Sequence, residues 1–172
     1  MSGVRKARVR SFPPIAARNA RILILGSMPG RASLAAGQYY AHRQNAFWRI
    51  VCSLLGIDPA SPYGARVRAL RASRIAVWDV LHSCVRPGSL DSSIAEEAAN
   101  DFNAFFRRHP GITHVFFNGA KAETSYKRHV LPAIERPLHY ARLPSTSPAH
   151  AALPFARKHT AWRAILKVEE LR

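Results

Sequence analysis

Four short apolar runs constrain this chain more than any other feature of it. Arg21-Ile22-Leu23-Ile24-Leu25 closes on Gly26, and Arg74-Ile75-Ala76-Val77-Trp78-Asp79-Val80 stays apolar until an acid near its end. Thr113-His114-Val115-Phe116-Phe117-Asn118-Gly119 and Leu138-His139-Tyr140-Ala141-Arg142-Leu143 are the third and fourth. The first two runs, without polar alternation, suit strands covered on both faces, the usual condition of a parallel sheet, while the fourth, with His139 and Arg142, reads simply as a strand.

The stretches between the runs have helical spacing. Phe47, Ile50, Val51, Leu54 and Leu55 define one face, stopped by Gly56 and Pro59. Residues 63–72, 120–130 and 155–170 read as further helices. Ser92 or Ser93 is placed to cap another from Ile94 to Arg108, with Glu96 and Glu97 at its positive end and Arg107-Arg108 at its negative end. Residues 84–90 read as loop, and 9–19, with Pro13-Pro14, as an extended lead-in. Strands alternating with helices call for right-handed crossovers. The expected fold is therefore α/β: one α/β/α sandwich on a four-stranded parallel sheet, a single domain over residues 1–172 with 1–20 leading in.

Charge narrows the partners. Lys and Arg number 26 against 10 Asp and Glu, a formal charge of +16 and a pI near 11.3. That imbalance predicts attraction to a polyanion, chiefly nucleic acid. The basic residues are spread along the chain with no basic amphipathic helix, which disfavours a membrane surface. No run approaches the ~20 apolar residues of a membrane span. The basic start, Arg5-Lys6-Ala7-Arg8, leads into no signal-like apolar segment, so a cytoplasmic location is expected. Cys52 and Cys84 are the only cysteines, which excludes an iron–sulfur cluster or an all-cysteine zinc site. They read as apolar fillers. No metal or cofactor is expected.

The candidate chemistry gathers behind the first run. Gly26-Ser27-Met28-Pro29-Gly30 turns sharply at the carboxyl edge of the predicted sheet, where open α/β folds bind ligands. It is neither a P-loop nor a dinucleotide fingerprint. Gln38-Tyr39-Tyr40-Ala41-His42-Arg43-Gln44-Asn45 follows, dense in aromatic and amide groups. Asp79 and Asn118 end the second and third runs, and Leu143-Pro144-Ser145-Thr146-Ser147-Pro148-Ala149-His150 follows the fourth. The few acids do not cluster at strand ends, which argues against a metal-dependent nucleotide hydrolase.

The five-residue turn together with Tyr39-Tyr40-Ala41-His42 and Asn45-Ala46-Phe47-Trp48 resembles the uracil-DNA glycosylase superfamily, and within it the hypoxanthine-DNA glycosylases. The resemblance covers about 130 residues. It implies the α/β/α fold above and a monomeric enzyme that flips deaminated bases, uracil or hypoxanthine, from DNA and hydrolyses the N-glycosidic bond. By the resemblance Gly26, Ser27 and Met28 line the substrate pocket. Relatives carry Asp or Asn where Met28 stands, and a thioether cannot orient water. The catalytic role then passes to Asn45, whose other reading is a cap for the helix at Phe47.

Tyr40 corresponds to the aromatic residue that stacks on the flipped base, with Tyr39 one register step away. His42 precedes Arg43 where the family has Pro, and reads as a loop histidine. Asp79 corresponds to a base-edge reader, its alternative being a loop cap, and Asn118 is a second candidate of the same kind. Residues 143–150 resemble the superfamily's second motif, with Ser145 and Ser147 for phosphate contacts and His150 in place of a donor missing at Leu143. Arg66, Arg68, Arg71, Arg157, Lys158, His159, Arg163 and Lys167 are further candidates for phosphate. No lysine lies in the motif segments, so a monofunctional enzyme leaving an intact abasic site is expected. A DNA-binding protein that kept the fold without catalysis is the competing reading.

Overall fold

The structure is a computed structural model describing residues 7–168. It opens with β1 (Arg8–Arg10) and β2 (Ile22–Gly26), then three helices: α1 (Arg31–Ala36), α2 (Phe47–Leu55) and α3 (Tyr63–Ala72). Strands β3 (Ile75–Asp79), β4 (Leu81–Val85) and β5 (Ala95–Ala99) precede α4 (Phe102–Arg108). Strand β6 (His114–Asn118), α5 (Ala120–His129), β7 (His139–Leu143), α6 (Phe155–Trp162) and α7 (Ala164–Lys167) complete it.

The four apolar runs form one parallel sheet in the order β3-β2-β6-β7. Successive side chains of β2 alternate between its faces. Ile22 and Ile24 join Phe47, Trp48, Ile50, Leu70 and Trp162 under α2, α3 and α6. Leu23 and Leu25 join Trp78, Phe102, Phe105, Phe117 and Tyr126 under α4 and α5. Both faces are thus covered, which is why all five residues of β2 are buried and why the run shows no polar alternation. Free Cys52 and Cys84 lie in the two apolar layers, where burial pushes both thiols up.

Three expectations need correction. Residues 95–99 are not helical. They form β5, antiparallel to β4, and α4 begins only at Phe102 behind Asp101, which accepts from Ala104 N at 3.0 Å. Ala-Glu-Glu-Ala-Ala favours a helix locally, but the free edge of β4 offers backbone partners that local preference cannot match. For the same reason Cys84 and Val85 are strand and not loop, and β1 pairs with the other edge of β4 to make a second, three-stranded sheet. The last helix is interrupted at Arg163, between α6 and α7; residues 169–170 lie outside the described part.

The lead-in also seals an edge. Ile15 exchanges two backbone hydrogen bonds with Val77, at 2.9 and 2.8 Å, so the outer side of β3 is not left open. Among the described residues no helix is long and apolar enough to cross a membrane.

Candidate active site

The register of the parallel sheet brings the candidate groups to one edge. Gly26 pairs with Asp79, and Asn118 pairs with Leu143, so the ends of β2, β3, β6 and β7 lie level. Gly26 is required there by space. A Cβ on it would stand 2.5 Å from Asp79 Oδ1 and 3.0 Å from the Tyr40 hydroxyl. Tyr40 itself holds φ 55°, a left-handed conformation that a bulky residue adopts only under constraint.

Tyr40 and Tyr39 have separate environments. One face of the Tyr40 ring stacks on Phe47, with centroids 4.0 Å apart, and its buried hydroxyl has no hydrogen-bond partner. Tyr39 is buried in the core, its hydroxyl donating to Pro13 O at 2.9 Å and its carbonyl accepting from Trp48 Nε1 at 2.8 Å. Only Tyr40 therefore faces the Gly26–Asp79 edge. Burial raises both phenols far beyond the neutral range.

Asp79 is the electrostatic centre. It is 3% exposed, its Oδ2 has no partner, and Asn100 Nδ2 donates to its backbone carbonyl at 2.8 Å. Burial pushes its carboxyl up to about 7; the Asp91 charge adds to this and the Arg86 guanidinium opposes it. A carboxylate poised near neutrality beside an open hydroxyl is the kind of group found where substrates are recognised.

The other candidates divide into holders and faces. Asn45, one residue ahead of the Ala46 cap position of α2, accepts at Oδ1 from Phe47 N at 3.0 Å, which leaves its amino group and one lone pair unused. Asn118 donates from Nδ2 to Thr146 Oγ1 and accepts at Oδ1 from Thr146 N, both at 2.9 Å. Its amide is thus anchored to the second-motif loop, with one N–H and one lone pair left over beside the Tyr40 hydroxyl. Ser27 donates to Asp91 Oδ1 at 2.6 Å, and Met28 is buried in the layer with Leu23 and Leu25. Ser145 Oγ accepts from Ser147 N and Ser147 Oγ from Ala149 N, so both shape the loop. His150 is exposed at its end, and His42 Nδ1 accepts from Gln44 N in an exposed turn.

Thr146 is the residue that sequence reasoning passed over. Buried to 1% exposure, it makes the two bonds to Asn118 and accepts from Ala46 N at 3.0 Å, tying the two motifs together. Its place between Ser145 and Ser147 gave no sign that it alone turns inward.

The basic candidates also divide. Arg68, Arg71, Arg157, Arg163 and Lys167 are exposed. Lys158 is buried, which with Arg49 nearby lowers its ammonium pKa, while His159 Nε2 lies 3.0 Å from Ser53 Oγ. Arg66 lies over the Trp48 ring at 4.6 Å and donates to Ser61 O. His159 and Arg66 thus make contacts between helices, and Lys158 is buried rather than presented on the surface. Among the described residues no three His, Cys, Asp or Glu side chains gather as a metal site.

A parallel sheet of this order, with glycine, carboxylate and two motif loops at its carboxyl edge, defines the class. Residues 13–167 match the family model of the uracil DNA glycosylase superfamily, and the chain belongs to that superfamily, a group of DNA glycosylases that hydrolyse base–deoxyribose bonds. The particular relatives are a hypoxanthine DNA glycosylase of Methanosarcina barkeri and one of Methanosarcina acetivorans. They are 40% and 39% identical over 114 residues, 66% of this chain and 72% of each relative. The solution NMR structure of a candidate uracil DNA glycosylase from Methanosarcina acetivorans superposes with a TM-score of 0.81 at 33% identity, covering 95% of this chain and 99% of that one.

Proposed function

We propose that this DNA glycosylase excises deaminated bases, hypoxanthine foremost and uracil second, by flipping the nucleotide to the carboxyl edge of the sheet. The observation that carries this reading is the convergence of Asp79 and the Tyr40 hydroxyl on the space left by Gly26. Both deaminated bases present a C=O beside an N–H. Ionised Asp79 accepts from that N–H, and backbone N–H groups of the Gly26–Gly30 turn donate to the carbonyl. The face of Tyr40 turned away from Phe47 stacks on the base.

As the glycosidic bond lengthens, charge grows on the departing base and the sugar takes oxocarbenium character. Hydrogen bonds donated to the base carbonyl stabilise the first, while Asp79 serves to recognise the base. Asn45, held in place by its bond to Phe47 N, positions the water that adds to C1′. The water supplies hydroxyl to the sugar and its proton ends on the leaving base, so an abasic site remains. No lysine stands in the motif segments to divert the reaction through a Schiff base.

The test is a panel of duplexes carrying hypoxanthine, uracil, xanthine or undamaged bases under single-turnover conditions. Excision of hypoxanthine, alkali-sensitive and not trapped by borohydride, is expected. Binding without excision of any base would make the chain a DNA-binding protein on a glycosylase fold.

A further inference from the structure

The segment between β4 and β5 clasps the first-motif turn. Arg86 Nη2 donates to Pro29 O, Ser27 Oγ donates to Asp91 Oδ1 at 2.6 Å, and Arg31 N donates to Ser89 Oγ at 2.8 Å. Arg31 Nη2 reaches back to Pro87 O at 3.2 Å. Four bonds thus join residues 86–91 to residues 27–31. No strand ladder is involved, and each of the four bonds uses a side chain to fix the position of this strap.

Arg86 is the unusual member. It is 5% exposed, yet its Nε and Nη1 have no hydrogen-bond partner. Burying an arginine is costly unless charge compensates it. Every buried side-chain nitrogen or oxygen without a partner among the described residues belongs to Tyr40, Asp79 or Arg86. The charges around Asp79 are Asp91, which disfavours its ionised form, and Arg86, which favours it; the Tyr39 and Tyr40 hydroxyls nearby stay neutral. Asp79 Oδ1 packs against Gly26 and Arg86 holds Pro29 O, so the two side chains flank the same turn.

We propose that Arg86 is a positioning residue for base recognition: it fixes the Ser27–Gly30 turn through Pro29 and supplies the positive charge that keeps Asp79 a hydrogen-bond acceptor. The inference rests on Asp79 reading the base as proposed above. Asp79 must be ionised to accept the base N–H, so excision falls as pH drops through its titration. Removing the Arg86 charge moves that fall to higher pH. Removing the Asp91 charge moves it to lower pH, while an asparagine there still accepts from Ser27.

The experiment compares wild type, Arg86→Lys, Arg86→Met and Asp91→Asn in the full chain. Two readouts are taken: single-turnover hypoxanthine excision from pH 5 to 9, and the Asp79 carboxyl titration by carbon-13 NMR without DNA. Arg86→Met should shift both midpoints up by about one pH unit, the effect of losing a nearby opposite charge, and should slow excision at pH 7 by about fivefold. Arg86→Lys should restore the wild-type midpoint, and Asp91→Asn should lower it.

An Asp79 titration unmoved in Arg86→Met and Asp91→Asn would overturn the proposal, leaving Arg86 a purely structural clamp. If Arg86→Met does not fold, Arg86→Gln, which keeps a donor for Pro29 O without the charge, decides by whether the Asp79 midpoint rises. If wild type excises nothing, the functional reading fails, and the NMR titration still decides what Arg86 does to Asp79.

Discussion

Asp79 and Glu97 are both largely buried carboxylates, and the chain treats them in opposite ways. Glu97, on β5, is held by Lys121 Nζ, by Ser125 Oγ at 3.0 Å and by His129 Nε2 at 2.6 Å, all from α5. Burial alone raises its pKa, but those hydrogen bonds outweigh it and the net shift is downward. Asp79 has no such set of donors, and its shift is upward.

The arginines repeat the contrast. At the amino end of the sheet, Arg136 donates to Phe106 O, Pro110 O and Ile112 O at 3.3, 2.8 and 2.6 Å. At the carboxyl end, Arg86 has one acceptor and two idle nitrogens. Where polar groups are fully paired they fasten elements together; where they are left short, the fold is holding chemistry in reserve.

The comparison is broken most severely at Asn45. Asn45→Ala should slow single-turnover excision by roughly 10²–10³, the scale of losing one transition-state hydrogen bond, while DNA binding measured by anisotropy stays near wild type. Wild-type excision in this variant would leave Asn45 only its bond to Phe47 N.

Next comes Asp79→Asn, which separates stability from function. The folded pKa of Asp79, about 7, lies above the ordinary carboxylate value, so the folded state holds the extra proton. Stability then falls as pH rises between about 4 and 7, by up to ~1.4 kcal/mol per pH unit. Asparagine carries no such slope. In urea titrations the variant should gain on wild type from pH 5 to pH 8 while excising hypoxanthine poorly; an equal difference at both values would refute a raised Asp79.

The smallest effect is expected from Glu97→Gln. It should cost about 1–3 kcal/mol in urea and leave excision per folded molecule unchanged. The sign with pH is reversed. Glu97 stabilises above the ordinary carboxylate range, and that contribution is lost as pH falls through its lowered pKa. The wild-type advantage should therefore fade at low pH.

How far the sequence reaches follows from the same physics. The parallel sheet was legible because β2, β3 and β6 are covered on both faces, and continuous apolar runs of five residues bounded by turns rarely arise in any other setting. The meeting of Gly26 and Asp79 at one sheet edge was legible because each closes an apolar run. Residues 95–99 were not, since their composition favours a helix and only the free edge of β4 decides otherwise. Neither Thr146 nor Arg86 was legible. Each sits in a loop of Ser, Pro and Gly whose local pattern says nothing about which side chain turns inward. Lys158 failed for a related reason, because a basic residue in a basic helix gives no sign that it is buried.

The central place of β2 has a consequence in time. Ile22 pairs with Ile75 on one side and with His114 on the other. During synthesis the first partner emerges soon after α3, but the second waits until the ribosome has passed β4, β5 and α4. At about 5–20 residues per second that interval lasts a few seconds, and throughout it one edge of β2 stands unpaired beside apolar side chains. The nascent chain is therefore most prone to wrong pairing just before β6 appears, and a pause that holds β6 inside the ribosome after β3 has emerged should lower the yield of folded protein more than a pause once β6 is out.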